Sequence, residues 1–122
     1  VMGGDAMRSA LLTIEEFGLP MAATEYLKAR ESHLNALFPK AEEISGAGDY
    51  LNFLGKAGIP VGIATSSHQH LCDLKIRHRP WRSQLAAVVC GDDPELHRSK
   101  PAPDIFLLCA KRMGITPDTI VA

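Results

Sequence analysis

The sequence has no excess of either charge: 13 basic residues stand against 14 acidic ones, a formal net charge of −1. A nucleic-acid-binding module carries a basic face or stripe, so no nucleic-acid partner is expected. Long hydrophobic runs are missing too. Stretches such as residues 85–90 fall far short of the ~20 apolar residues a membrane helix needs, and no membrane partner is expected. Cysteine is scarce: Cys72, Cys90 and Cys109 are odd in number and widely spaced, which favours free thiols over a disulfide framework. No basic-then-apolar leader opens the chain, so a cytoplasmic location is the default expectation. Internal repeats and low-complexity tracts are absent, and 46% apolar residues argue against disorder.

Two catalytic patterns are missing as well. Ser67-His68 lacks the Gly-x-Ser-x-Gly elbow of a serine hydrolase. No Cys-x-x-Cys accompanies His68 and His70, which read as exposed residues near a helix start rather than zinc ligands. The aspartates are Asp5, Asp49, Asp73, Asp92, Asp93, Asp104 and Asp118, and no two are separated by one residue.

What is present is an α/β pattern on 122 residues, one domain or a piece of one. Met7, Ala10, Leu11, Ile14 and Phe17 follow helical spacing after a possible Asp5 cap, and Gly18 and Pro20 end that helix. A second helix is expected from Ala23 to Leu37, with Leu27, Leu34, Leu37 and Phe38 inward and Pro39 closing it. A short helix follows, burying Ala47, Tyr50, Leu51 and Leu54 and capped by Gly58. Residues 59–65 carry no charge and no alternation, the mark of a parallel strand covered on both faces. Residues 71–79 look helical until Pro80. Residues 85–90 form a second buried strand, in which Cys90 reads as a core thiol, as does Cys109 further on. Trp81 is expected to pack under a loop. Pro103 and Asp104 start a last helix that Gly114 ends, and residues 119–122 read as a third strand. A helix pair thus precedes strand–helix alternation. The chain opens with Val1, and both ends sit in patterned sequence, which suggests an internal piece of a longer frame.

Three segments could carry chemistry. Ala64-Thr65-Ser66-Ser67 stands at the carboxyl end of the first strand, where open α/β sheets bind ligands. Its hydroxyls and backbone N–H groups, ahead of a helix start, suit an anion; an ordinary Ser/Thr helix cap is the alternative. Ser99-Lys100-Pro101-Ala102-Pro103-Asp104 holds one amine in a segment restricted by two prolines, suited to clamping phosphoryl charge; a solvated lysine is the alternative. Asp92, Asp93 and Glu95 could bind a hard cation or orient Lys100, or form a turn that caps a short helix.

Taken in order and spacing, Val61-Gly62-Ile63-Ala64-Thr65-Ser66-Ser67, Val88-Val89-Cys90-Gly91-Asp92-Asp93-Pro94-Glu95 and Lys100-Pro101-Ala102-Pro103-Asp104-Ile105-Phe106-Leu107 resemble one family. It is the haloacid dehalogenase-like (HAD-like) hydrolases with an inserted helical cap, in the beta-phosphoglucomutase-like branch. Val1-Met2-Gly3 and the run from Asp104 to Arg112 are similar to its pseudouridine-5′-phosphatase subgroup. The resemblance implies a partial HAD-like, Rossmann-like parallel sheet core at residues 46–122, preceded by a partial helical cap at residues 1–45. It implies a Mg²⁺-dependent phosphatase of a small phosphorylated metabolite, nucleotide-like in this subgroup, working through an aspartyl-phosphate.

Thr65 would be the hydroxyl on the transferring phosphoryl group, Ser66 would offer its backbone N–H, and Lys100 would neutralise charge. Gly3 and Gly4 would face the leaving group from the cap. The family's Asp-x-Asp nucleophile pair and its second acidic metal motif are not found here, so no metal ligand is assigned to this chain, and the chain by itself is expected to be inactive. The rival expectation is a non-enzymatic domain with a remnant phosphate pocket that serves binding or assembly. Without the nucleophile strand, two apolar strand edges would face an empty slot, so self-association through exposed sheet edges is expected.

Overall fold

The computed structural model describes residues 6–122. Helices α1 (Ala6–Phe17) and α2 (Ala23–Leu37) form a pair, and a 3₁₀ turn, Phe38–Lys40, follows. Then come α3 (Ala47–Lys56), β1 (Val61–Ala64), α4 (Gln69–Ile76), a 3₁₀ turn (Pro80–Gln84), β2 (Leu85–Val89) and α5 (Asp104–Met113). The α/β class with parallel strands read from the sequence is the class observed.

The punctuation residues act as their chemistry requires. Gly18 turns to φ +58°, and Leu19 N–H then reaches back to the Ile14 carbonyl at 3.0 Å. That left-handed C-terminal cap closes α1. At the start of α2, Ala22 has no side-chain acceptor, so only the reciprocal half of a capping box forms: Ala22 N–H donates to Glu25 Oε2 at 3.2 Å.

Strands β1 and β2 pair in parallel, which requires a crossover, supplied by α4. The register passes from Val61↔Leu85 to Gly62↔Ala87, leaving Ala86 as an extra residue. A bulge of this kind shifts the pleat by one, and Leu85 consequently packs on the same side as Val88. On that side Cys72 and Ile76 of α4 meet Cys90, Ile63 and Trp81. On the other side α5 sets Ile105, Leu108 and Cys109 against Val89, Ala64 and Ala87. The approach of α5 is close enough that a Cβ on Gly62 would lie 2.6 Å from Met113 Sδ.

Several expectations need correction. In α2 no residue is buried; Leu37 is 61% exposed, and Leu27, Leu34 and Phe38 are only half-buried. In α1, Ala10 alone is buried, while Leu11 and Phe17 are exposed. Tyr50 of α3 is likewise 61% exposed. The periodicities are helical, but among the described residues these faces meet too little other structure to be covered. For the same reason β1 is half-buried along its length rather than fully covered. Residues 119–122 are not a strand: Pro117–Thr119 forms a 3₁₀ turn, and Val121 is 99% exposed. A four-residue segment cannot hold strand geometry without a neighbour to complete its ladder. No helix among the described residues is long and apolar enough to cross a membrane.

Candidate functional site

The site begins where β1 runs out. Thr65 N–H continues the ladder to the Val89 carbonyl at 3.0 Å, and the chain then turns sharply. Thr65 Oγ1 accepts the Ser67 N–H at 3.1 Å, a hydroxyl-closed turn. The returning chain enters α4, whose first N–H, on Gln69, donates to Asp92 Oδ1 at 2.8 Å. That carboxylate comes from the loop after β2, so the protein supplies its own anion at the start of α4.

The loop after β2 is seated on the same turn. Gly91 N–H donates to the Ser67 carbonyl at 2.9 Å. A Cβ on Gly91 would overlap the Ser66 carbonyl oxygen and lie 2.9 Å from its carbon, so glycine is needed here for space. Lys75, two turns into α4, donates from Nζ to Ser67 Oγ at 3.0 Å.

Lys100 arrives from the opposite flank. Its Nζ donates to the Ala64 carbonyl at 3.0 Å and lies 4.9 Å from the centre of the Phe106 ring. The loop bearing it is strapped by Arg98, whose Nε lies 3.1 and 3.2 Å from the two carboxylate oxygens of Asp104. This pairing holds the Asp104 carboxyl below its usual range.

A cavity of about 750 Å³ lies between these groups and the helix pair. Ser66, Ser67, Lys75 and Lys100 stand on one wall, and Arg30 of α2 on the other. Of the residues singled out in the sequence, Ser66 and Lys100 therefore share the cavity wall. Thr65 does not line it; its hydroxyl is turned to the Ser67 amide, with its own proton still free to donate. Gly3 and Gly4, like Asp5, lie outside the described residues.

The carboxylates of the acidic loop are paired within the protein. Asp92 is spent on α4. Asp93 and Glu95 both accept from the Arg112 guanidinium, Asp93 Oδ1 at 2.8 Å and Glu95 Oε2 at 2.7 Å, and this holds both carboxyls below their usual range. None of the three contacts Lys100. Among the described residues, no group of three or more His, Cys, Asp or Glu side chains could hold a metal ion. Cys72, Cys90 and Cys109 are free and buried, Trp81 donates from Nε1 to Glu43 at 2.9 Å, and His68 and His70 are exposed.

Sequence reasoning passed over Lys75, Arg98 and Arg112. Arg98 flanks the proline-restricted segment and sits six residues before Asp104, a visible hint. Lys75 and Arg112 meet their partners only through the fold.

Comparison with known proteins places this geometry in a family context. The profile described as haloacid dehalogenase-like hydrolase matches residues 6–122. The chain is 43% identical over 120 residues to (DL)-glycerol-3-phosphatase 2 of Arabidopsis thaliana, covering 96% of this chain and 50% of that protein. It is 36% identical over 119 residues to a probable pseudouridine-5′-phosphatase of Drosophila melanogaster, covering 96% and 52%. Over 62 residues it is 40% identical to the fructose-1-phosphate phosphatase YqaB of Escherichia coli, covering 51% and 32%. The chain thus spans about half the length of the first two of these relatives.

Proposed function

This chain belongs to the haloacid dehalogenase-like hydrolases, and from that premise we propose that its strand-end cavity holds the phosphoryl group of a small phosphorylated metabolite during hydrolysis. The observation that carries this reading is the 3.0 Å contact from Lys100 Nζ to the Ala64 carbonyl. It brings a cation from 36 positions away to the carboxyl end of β1, where open α/β sheets bind ligands. In that role Lys100 offsets the negative charge of the phosphoryl oxygens and the Ser66 backbone N–H donates to one of them, while Thr65, which does not line the cavity, contributes by closing the turn that carries Ser66. A fixed ammonium with preset donors stabilises developing charge without reorganising.

The relatives' names agree on phosphate esters of small hydroxylated compounds and differ on which one. A cavity of about 750 Å³ suits a small metabolite. We therefore assign the class, a phosphomonoester of a polyol, sugar or nucleoside-like alcohol. The narrower nucleotide-like reading rests on the resemblance to the pseudouridine-5′-phosphatases, and Gly3 and Gly4 remain its proposed cap contacts.

Phosphatases of this family generally use Mg²⁺, which when bound offsets phosphoryl charge as a Lewis acid. Asp92, Asp93, Glu95 and Asp104, the acidic residues nearest the strand ends, are committed to α4, Arg112 and Arg98, so none is assigned to the ion. With no Asp-x-Asp pair in the 122 residues, the contribution proposed for them is to hold and polarise phosphate rather than attack it. A cytoplasmic setting goes with this reading, supported by three unpaired thiols.

The test uses the 122-residue chain. Inorganic phosphate should bind and raise the melting temperature by mass action, and Lys100→Ala should reduce that rise. No Mg²⁺-dependent hydrolysis of an aryl phosphate should appear above background. Equal phosphate stabilisation in both proteins would remove the pocket; turnover lost on Lys100→Ala would show that the chain does supply a nucleophile.

A second reading, binding or assembly without catalysis, is favoured by one observation: β1 pairs only with β2 among the described residues. An open edge of this kind is a template for another chain, so we propose self-association there. Light scattering at micromolar concentration decides it, a monodisperse monomer being the result against.

A further inference from the structure

Lys75 touches two parts of the molecule at once. Its Nζ donates to Ser67 Oγ at 3.0 Å, and the same ammonium sits 4.2 Å from the centre of the Phe38 ring. Ser67 belongs to the strand-end turn; Phe38 opens the 3₁₀ turn in which the helix pair ends. Neighbouring side chains of α4 and the segment after it repeat the connection. His70 Nε2 lies 3.1 Å from Asn35 Oδ1 of α2, and the Arg79 guanidinium donates to the Ala41 carbonyl. These last two contacts tie α2 and Ala41 to α4 and the segment after it without reaching the strand-end turn.

Ser67 is the pivot of that turn. Its N–H goes to Thr65 Oγ1 and its carbonyl accepts Gly91 N–H at 2.9 Å. The side-chain oxygen is its remaining anchor, and Lys75 occupies it. An ammonium has three donors in a flexible stem, and here the Phe38 ring face restricts where it can lie.

Resting on the phosphate-holding reading above, we infer that Lys75 is a positioning residue: through Ser67 Oγ it sets the Thr65–Ser66–Ser67 turn in the geometry that receives phosphate, and through Phe38 it links that geometry to the placement of the helix pair. Lys75 lines the same cavity as Lys100, yet the roles differ. Lys100 faces the ligand as a charge; Lys75 acts on the ligand through a serine.

The distinction is measurable on the intact 122-residue chain with inorganic phosphate as probe, titrated by ³¹P NMR. Lys75→Met keeps the stem over Phe38 and removes the hydrogen bond, and should weaken phosphate affinity about fivefold, the equivalent of one ordinary hydrogen bond lost. Ser67→Ala should weaken it by a similar factor. The double variant should be no weaker than either single one, because both remove the same link. Lys75→Arg should recover most of the affinity. Multiplying losses in the double variant would mean that Lys75 contacts phosphate directly and would overturn the inference; so would an unchanged affinity in Lys75→Met alongside a weakened Lys100→Ala.

A second readout separates this inference from the functional reading. If the wild-type chain shows no phosphate binding, the functional reading fails, and amide exchange then decides the Lys75 link alone. The Gly91 amide, bonded to the Ser67 carbonyl, should exchange faster in Lys75→Met than in wild type at matched global stability. Equal exchange in the two would sink the link itself.

Discussion

Replacing Gly91 by alanine tests whether the candidate site is seated as described. The added Cβ would overlap the carbonyl oxygen of Ser66 and stand 2.9 Å from its carbon and 3.2 Å from its Cα. These are backbone atoms, so no side-chain rotation relieves the overlap; the strand-end turn itself has to move by about an ångström to restore ordinary contact. That shift stretches the Gly91 N–H bond to Ser67, now 2.9 Å. Overpacking of this kind costs about 1–3 kcal/mol, and a lost backbone hydrogen bond adds about 1 kcal/mol. The sum, roughly 2–4 kcal/mol, should lower the melting temperature of a chain this size by on the order of 10 °C.

Gly55 provides the control. A Cβ there would meet only the end of the Gln84 side chain, which can swing away at the cost of its exposed bond to Asn52, and alanine in the last turn of α3 gains at most about 0.5–1 kcal/mol over glycine. Gly55→Ala should therefore be neutral or slightly stabilising. Circular-dichroism melts and urea titrations on both variants measure this. Equal melting temperatures for Gly91→Ala and wild type, with phosphate stabilisation intact, would mean that the turn is not packed on Gly91.

Ile105 is 1% exposed in the cluster that joins α5 to β2, and Ile105→Ala should cost about 2–4 kcal/mol in urea unfolding. Acid should also destabilise the fold: Asp93, Glu95 and Asp104 have folded values held below their unfolded ones by Arg112 and Arg98, so their stabilisation is present above about pH 4 and lost as pH falls further. Melts from pH 6 to 3 should show a shallower loss in Arg112→Met than in wild type; parallel slopes would contradict the pairing. Burial, with the neighbouring Cys72 thiol beside it, pushes Cys90 up to about 12, and burial raises Cys72 and Cys109 too. All three thiols should resist iodoacetamide at pH 8 and react once the chain is unfolded in urea; labelling of the native chain would refute this. Amide exchange should be faster in α1 and α2 than in α5, and equal protection would contradict the burial pattern.

Much of the element pattern could be read before any coordinates. Ala23–Leu37 is an unbroken helical stretch between Met21 and Pro39, and Gly18, Gly58 and Gly114 all take the left-handed conformation that ends a helix. These features are local: each depends on a residue's own backbone preferences and a few neighbours. Burial is not local. Leu37 and Tyr50 have the right spacing to be core, and both are exposed, because spacing specifies a face without specifying what covers it. Pairing across the chain was equally hidden. The acidic loop was legible as acidic, but its use depends on Arg112, 19 positions from Asp93, and on α4 starting beside Asp92. Lys100 was legible because two prolines mark it. Lys75, in the ordinary helical run Leu74-Lys75-Ile76, carries no such mark.

Apart from Ala10, every residue buried among those described lies between Cys72 and Ala110. The helix pair therefore adds little apolar burial, and polar, partly exposed contacts tie it and the segment after it to α4 and the loop beyond: His70 to Asn35, Arg79 to Ala41 and Glu43, Lys75 over Phe38. Exposed polar pairs of this kind contribute about 0–1 kcal/mol each, whereas burying one large apolar side chain such as Ile105 contributes about 1.5–3 kcal/mol. The strand-end turn is held on the stable side of that divide, by Val89, Gly91 and α4. The opposite wall of the cavity, with Arg30, is held on the weak side. Under the function proposed above, a phosphate ester would enter between the two, and a wall that opens at small cost while the strand-end turn stays formed would meet that requirement. The unequal division of the core is thus a property of the site as much as of the fold.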